Sequence, residues 1–157
     1  MKPKVYIETS VISYLTARRS RDLIVAANQA LTQEWWDNKR QFFELFISEF
    51  VLDEIAMGDP KIAASRLLVV DGICELYTSQ QVEMLAALLL KRVALPVTEK
   101  MDALHIAIAT IHGMDYLLTW NCKHLANATK QSIISSTCKS IGYESPIICT
   151  PLQLIGV

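Results

Sequence analysis

The chain has 157 residues, of which 52 % are hydrophobic and 20 % are charged, and its formal net charge is −1. This length predicts a single domain over residues 1–157, and the near-neutral charge excludes a global positive field that attracts nucleic acid. No apolar stretch reaches the ~18 residues that cross a bilayer, and the amino-terminal residues lack the apolar core of a secretory signal, so we expect a cytoplasmic protein with no membrane partner.

Short apolar segments alternate with longer helical patterns along the chain. The predicted strands cover 4–7, 42–47, 74–77, 116–119 and 146–149. The predicted helices cover 11–38 with a break near 17–20, 49–57, 60 to the low 70s, 79–92, 99–112 and 124–140, with Ser48 and Thr98 as N-caps of the second and fifth of these. Strands that alternate with helices are typical of an α/β fold whose parallel sheet is covered on both faces.

Oxygen-bearing side chains lie at three places where this topology brings the chain to the carboxyl edge of the sheet. Glu8 ends the first strand, and Asn121 follows the fourth strand by two residues. Asp102 lies in the first turns of the helix that leads into the fourth strand, so that helix begins back at the same edge. Ligand sites in open parallel sheets collect at this edge. We therefore expect these three side chains to converge.

Glu54 is predicted to lie on the apolar face of its helix. At about 100° per residue it falls between Phe50 and Val51, whereas Asp53 falls on the opposite face. A carboxylate that faces a core is costly unless it is paired or bound to metal. Glu54 is therefore a further candidate for the site.

Asp102 lies on a helix that is apolar nearly all round, which marks the helix as buried. A buried carboxylate at a helix start also occurs as a cap or ion-pair partner, but four oxygen-bearing groups at one edge favour a metal site. Magnesium and manganese ions take oxygen ligands, and one or two such ions can activate a water and stabilise a scissile phosphate. The arrangement indicates metal-dependent phosphodiester hydrolysis.

Four segments of the sequence, in order along the chain, resemble the PIN-domain nucleases, and in particular the VapC-type ribonuclease toxins of bacterial toxin–antitoxin pairs. The segments are 5–10 (VYIETS), 48–55 (SEFVLDEI), 100–107 (KMDALHIA) and 115–121 (DYLLTWN). Each segment is short, but as an ordered set they span nearly the whole chain and are fairly specific.

The resemblance implies a Rossmann-like three-layer α/β/α sandwich with a central parallel sheet of 4–5 strands, a Mg²⁺ or Mn²⁺ cofactor, and RNA as substrate. It implies catalytic roles for Glu8, Glu54, Asp102 and Asn121, all but Glu54 as metal ligands. It also implies a cognate antitoxin and a homodimer. The residues that it implies as supports of the site are Thr9, Ser10 and Thr119.

The sequence departs from the family at the first acid, which is usually Asp and is here Glu8, one methylene longer. Because magnesium demands near-ideal octahedral geometry, the longer side chain favours manganese or weakens the activity. A catalytically weak or silent PIN-like module that binds RNA or a protein is therefore the first alternative. A DNA-directed nuclease of related fold ranks last, since such enzymes carry a denser acid cluster on a longer chain.

Three cations are candidate RNA contacts. Arg18 and Arg19 follow the first strand–helix junction, where an ordinary solvated face is an equal interpretation, and Lys123 lies close to Asn121. Trp120 fits either stacking on a base or packing on the sheet.

The histidines carry weaker expectations. His105 lies one helical turn from Asp102, and the apolar surroundings favour a hydrogen-bonded core histidine over a ligand. Cys122 and His124 match no standard zinc-ligand spacing, so the sequence predicts no zinc site there.

Overall fold

The computed structural model describes residues 1–93 and 99–156. Five strands in these residues form one sheet, and every neighbouring pair is parallel. The strands are β1 (Lys4–Ile7), β2 (Glu44–Ser48), β3 (Cys74–Leu76), β4 (Tyr116–Leu118) and β5 (Ile147–Cys149). Their order across the sheet is β3-β2-β1-β4-β5, which confirms the predicted parallel sheet.

Seven α-helices lie in the described part of the chain. They are α1 (Thr9–Thr16), α2 (Leu23–Asn38), α3 (Glu49–Ile55), α4 (Pro60–Val70), α5 (Gln80–Arg92), α6 (Lys100–Ile111) and α7 (Ala128–Ser140). Short 3-10 turns cover Arg40–Phe42 and Pro151–Leu154. The predicted break near 17–20 separates α1 from α2, and no helix in the described residues is long and apolar enough to cross a membrane.

Chain direction decides which face of the sheet each helix covers. Crossovers between parallel strands are right-handed, so the connections from β1 to β2 and β2 to β3 place α1–α4 on one face. The later connections run the opposite way across the sheet and place α5–α7 on the other face. Helix packing agrees, because α1 contacts α2, α3 and α4, whereas α5 contacts α6 and α7. The fold is the predicted three-layer α/β/α sandwich.

The connections that leave β1 and β4 run in opposite directions, although these two strands are neighbours. A crevice forms at such a point beyond the carboxyl ends of the strands. The adjoining core is dense: α6 is buried from Asp102 to Thr110, and Trp35 and Trp36 of α2 are buried as well. The carboxyl edge of the sheet, where the sequence predicts the site, therefore borders a closely packed apolar core.

Several element boundaries differ from the predictions, and two of these differences have a local cause. β2 begins at Glu44, not at 42, because Arg40–Phe42 forms a 3-10 turn. α7 begins after Asn127, not at 124, because the Asn127 side chain caps it by accepting from the backbone nitrogen of Thr129 at 3.0 Å. The predicted cap Ser48 is confirmed by its bond with the nitrogen of Val51 at 3.3 Å, and the predicted cap Thr98 lies outside the described residues.

Candidate active site

The carboxyl ends of β1 and β4 hold Glu8 and Thr119 side by side. The Glu8 backbone nitrogen donates to the carbonyl of Leu118 at 3.0 Å, which continues the strand pairing. Glu8 is only 6 % exposed. Its Oε2 accepts from the Ser10 nitrogen at 3.0 Å, and its Oε1 accepts from the hydroxyls of Ser10 and Thr119, both at 2.5 Å. These bonds make Glu8 the N-cap of α1 and fix it at the sheet edge.

Thr119 connects Glu8 to Asn121. Its hydroxyl, which donates to Glu8, also accepts from the backbone nitrogen of Asn121 at 2.9 Å. The Asn121 side-chain nitrogen donates to Asp102 Oδ1 at 3.2 Å and so joins the end of β4 to the start of α6. Glu8, Asp102 and Asn121 therefore lie at one edge, where the strand ends place them.

Asp102 is 9 % exposed, and its Oδ2 has no hydrogen-bond partner among the residues that the structure describes. Burial raises the pKa of Asp102 to about 7, and the Glu99 carboxylate adds to this rise, because it can accept a hydrogen bond from protonated Asp102 and repels the ionised form. Glu8 adds to this rise, whereas His105 opposes it. A carboxyl group so placed keeps a large fraction of its proton at neutral pH unless a cation lies beside it.

Glu99 and His124 form one group of potential metal ligands with Asp102. One ligand atom from each lies within 4.8 Å of the others, and His124 Nε2 is 3.6 Å from Glu99 Oε1. Neither residue is predicted from the sequence, although the three-residue spacing of Glu99 and Asp102 on a helix is a usable signal. The sequence gives no comparable signal for His124, because a turn positions this residue. In that turn the His124 backbone nitrogen donates to Asn121 Oδ1 at 3.1 Å.

Glu54 borders the same edge from α3, with 29 % of its side chain exposed. Asp53 is exposed, as the helix phase predicts. Glu54 Oε1 accepts from the hydroxyl of Thr9 at 2.8 Å and lies 2.6 Å from His105 Nε2. Thr9 and Ser10 at the start of α1 therefore hold one carboxylate each, Thr9 that of Glu54 and Ser10 that of Glu8.

His105 pairs with Glu54 in the interior. Burial lowers the pKa of His105 and raises that of Glu54, but their mutual hydrogen bond and opposite charges outweigh burial. The net effect is a raised pKa for His105 and a lowered pKa for Glu54. His105 Nδ1 is also 2.6 Å from the hydroxyl of Tyr6, which is 2.7 Å from Ser48 Oγ. The predicted hydrogen-bonded core histidine is confirmed, and it also anchors Glu54, which the sequence does not reveal.

The three predicted RNA contacts lie in different places. Arg18 lines a groove between α1 and α4. Arg19 lines a separate groove between α1 and α2. Lys123 is exposed in the turn that follows Asn121. Although Arg18 and Arg19 are neighbours in sequence, they therefore line two different grooves.

Trp120 is half-buried and packs against the core. Its ring stacks on Tyr14 with centroids 5.7 Å apart, and its Nε1 donates to the hydroxyl of Thr32 at 2.7 Å. Its backbone nitrogen donates to Ser10 Oγ at 2.8 Å. Of the two interpretations of this residue, packing against the protein is the one that the structure supports.

No protein-family model and no curated protein matches the sequence. Among solved structures, VapC20 from Mycobacterium tuberculosis, described as a sarcin–ricin loop cleaving toxin, has a similar fold. The two chains are 14 % identical with a TM-score of 0.59, over 90 % of this chain and 99 % of VapC20. Identity this low speaks for the fold alone, since one fold serves many functions. The chain therefore has the PIN-domain fold that its sequence motifs imply.

Proposed function

We propose that the chain is a divalent-metal-dependent endoribonuclease and the toxin of a toxin–antitoxin pair. The observation that carries this proposal is Asp102, a buried carboxyl group with an unbonded oxygen in the described structure and a pKa of about 7, beside Glu99. A cation among these carboxylates would offset the cost of their charge. VapC20, which has a similar fold, is described as cleaving the sarcin–ricin loop, and by analogy with it we propose RNA as the substrate.

The residues at this edge fit Mg²⁺ or Mn²⁺. Asp102 and Glu99 offer carboxylate oxygens, the ligands that both ions take, within one group. Glu8 and Asn121 are proposed as further ligands, and a cation there would replace the bonds that Ser10 and Thr119 make to Glu8 and the bond that Asn121 makes to Asp102. His124 adds an imidazole, a ligand more typical of transition metals than of magnesium, which favours Mn²⁺ of the two. When bound, such an ion lowers the pKa of a water and stabilises charge on the scissile phosphate.

Glu54 is proposed as the catalytic carboxylate that borders this site from α3. Its lowered pKa keeps it ionised, and its Oε1 is held by Thr9 and His105. Because these bonds engage Oε1, Oε2 is left to orient an attacking water. Thr119 and Ser10 are positioning residues, because they bind Glu8 instead of the reacting groups.

The purified protein is expected to cleave RNA when Mn²⁺ or Mg²⁺ is present and to stop when EDTA is in excess. Gel electrophoresis of a labelled single-stranded RNA measures this, with restoration by added Mn²⁺ as the control. Cleavage that continues undiminished in EDTA would contradict the metal dependence. Equal digestion of RNA and of DNA of the same sequence would instead favour the DNA-directed alternative.

A catalytically silent module is the second candidate, and one observation favours it. Both oxygens of Glu8 already accept hydrogen bonds from Ser10 or Thr119, so this carboxylate is satisfied without a cation. Calorimetric titration with Mn²⁺ separates the two candidates. Binding that disappears when Asp102 is replaced supports the nuclease, whereas an absence of binding supports the silent module.

A homodimer and an antitoxin complex are proposed as the assembled forms. Supporting features are exposed apolar side chains on two helices, Leu68 on α4 and Met84 on α5, with Ile141 close to Met84. Light scattering is expected to give twice the chain mass of 17.6 kDa, and Met84→Glu is expected to lower it. A monomer mass for the unmodified protein would contradict the homodimer.

A further inference from the structure

We infer that a cleft next to Glu54, here called the basic groove, binds phosphate groups of the RNA strand; the inference rests on the proposed function. The groove lies between α1 and α4 and encloses about 450 Å³. All charged side chains that line it are cations. Its polar and charged lining residues are Ser13, Thr16, Arg18, Lys61, Ser65 and Arg66.

The three cations of the basic groove have no carboxylate partner in the part of the chain that the structure describes. Neither Arg18, Lys61 nor Arg66 makes an ion pair with a carboxylate in residues 1–93 and 99–156. Asp59 lies close to Lys61 in sequence, but its Oδ1 caps α4 by accepting from the backbone nitrogens of Lys61 and Ile62, at 2.8 and 3.3 Å. In a chain of net charge −1, three such cations around one cleft create a local positive field that suits an anionic strand.

Arg66 is the best-positioned of the three. It is half-buried, and its Nη1 donates to the carbonyl of Met57 at 3.3 Å, which holds the guanidinium in the groove wall. Its buried Nε has no hydrogen-bond partner among the described residues. Phosphate oxygens are strong acceptors for guanidinium groups. Because Arg66 is held in the groove wall and lines the groove, a phosphate there can bind the accessible N–H groups of its guanidinium.

The basic groove adjoins a cleft that reaches Glu54. A second cleft of about 470 Å³ is lined by Thr9 and Glu54 and shares Ser13 and Arg66 with the basic groove. An RNA strand whose scissile phosphate lies at the carboxylates can therefore place its neighbouring phosphates in the basic groove. Asp53 lines the second cleft but not the basic groove, so acidic groups are confined to the end nearer the active site.

The test compares two triple variants of equal net charge. Arg18→Gln, Lys61→Gln and Arg66→Gln remove the cations of the groove. The control removes Lys91, Arg92 and Lys139 in the same way, which are exposed cations of α5 and α7 on the other face of the sheet. Fluorescence anisotropy of a short labelled single-stranded RNA is measured in EDTA, where cleavage is blocked, at a series of salt concentrations, and circular dichroism checks folding.

The groove variant is expected to bind the RNA at least about tenfold more weakly, and the slope of log affinity against log salt is expected to fall by about 2 because three phosphate contacts are lost. The control is expected to stay within about twofold of the unmodified protein. The neighbouring arginines give a finer comparison, since Arg18→Gln should weaken binding and Arg19→Gln should not. Arg66→Lys should keep the salt slope.

Equal RNA affinity of the two triple variants would overturn the inference. The inference would also be overturned if the groove variant kept its RNA binding but lost binding to a polyglutamate peptide. That result would assign the groove to an acidic protein segment. Groove-dependent binding without cleavage in Mn²⁺ would leave the groove standing and refute the nuclease. Cleavage of RNA by the groove variant with an unchanged KM would instead support the nuclease and refute the groove.

Discussion

Replacing Asp102 by Asn is expected to lower RNA cleavage on the order of a thousandfold, and to make the metal-free protein more stable at neutral pH. The loss of activity follows because a metal site supplies several kcal/mol of transition-state stabilisation, and Asn is a far weaker ligand than a carboxylate. The gain in stability follows from the cost of ionising Asp102 next to Glu99 in the absence of a cation.

The pKa of Asp102 fixes the sign of the stability change. It is about 7 in the folded chain and about 3.9 in the unfolded chain, so the fold favours the protonated form. The corresponding stability is present below about pH 4 and is lost as the pH rises through 7. The amide of the Asp102→Asn variant cannot ionise, so at pH 8 the free energy of unfolding should increase by about 1 to 3 kcal/mol, less than the full shift would give because solvent at the edge screens the charge.

Urea denaturation with EDTA at pH 5 and pH 8 measures this difference, which should be larger at pH 8. With Mn²⁺ the order should reverse, since only the unmodified protein gains stability from the bound ion. Asp53→Asn is the matched control, because it removes the same charge from an exposed position. An Asp102→Asn variant that is less stable than the parent in EDTA at pH 8 would contradict the assigned pKa shift.

The positions of the main carboxylates could be predicted because they depend on local rules. Glu8 and Asn121 follow from strand ends, and the separation of Glu54 from Asp53 follows from helix phase, each of which a few neighbouring residues determine. The parallel three-layer fold follows from the alternation of strands and helices. These features need no knowledge of which side chains meet across the molecule.

The remaining parts of the site depend on contacts between elements distant in sequence. His105 reaches Glu54 because α6 and α3 meet beneath the site, and His124 reaches Glu99 through a turn held by Asn121. Likewise, Lys61 joins Arg18 in the basic groove only because α4 packs on α1. No pattern within one segment encodes such a meeting, so these residues appear only in the folded structure.

Replacing His105 by Phe is expected to lower the free energy of unfolding by about 2 to 3 kcal/mol. Phe keeps a ring in the core, but Glu54 Oε1 is left with Thr9 alone, and the Tyr6 hydroxyl is left with Ser48 alone. The estimate lies below that for a fully buried pair, because the Glu54 side chain is 29 % exposed and water can reach it. His112→Phe, at the exposed end of α6, is the control and should cost less than about 1 kcal/mol.

The pH dependence of this loss distinguishes an ion pair from simple ring packing. The pKa of His105 is raised above its ordinary value of 6.5, so its contribution is present below that pH and is lost as the pH rises through the raised value. The pKa of Glu54 is lowered from 4.5, so its contribution is present above that pH and is lost as the pH falls through the lowered value. The stability difference between parent and His105→Phe should therefore be largest between pH 4.5 and 6.5 and narrow on either side. A difference that does not narrow below pH 4.5 or above pH 6.5 would mean that His105 acts through packing and neutral hydrogen bonds, and that Glu54 is not held by a charged partner.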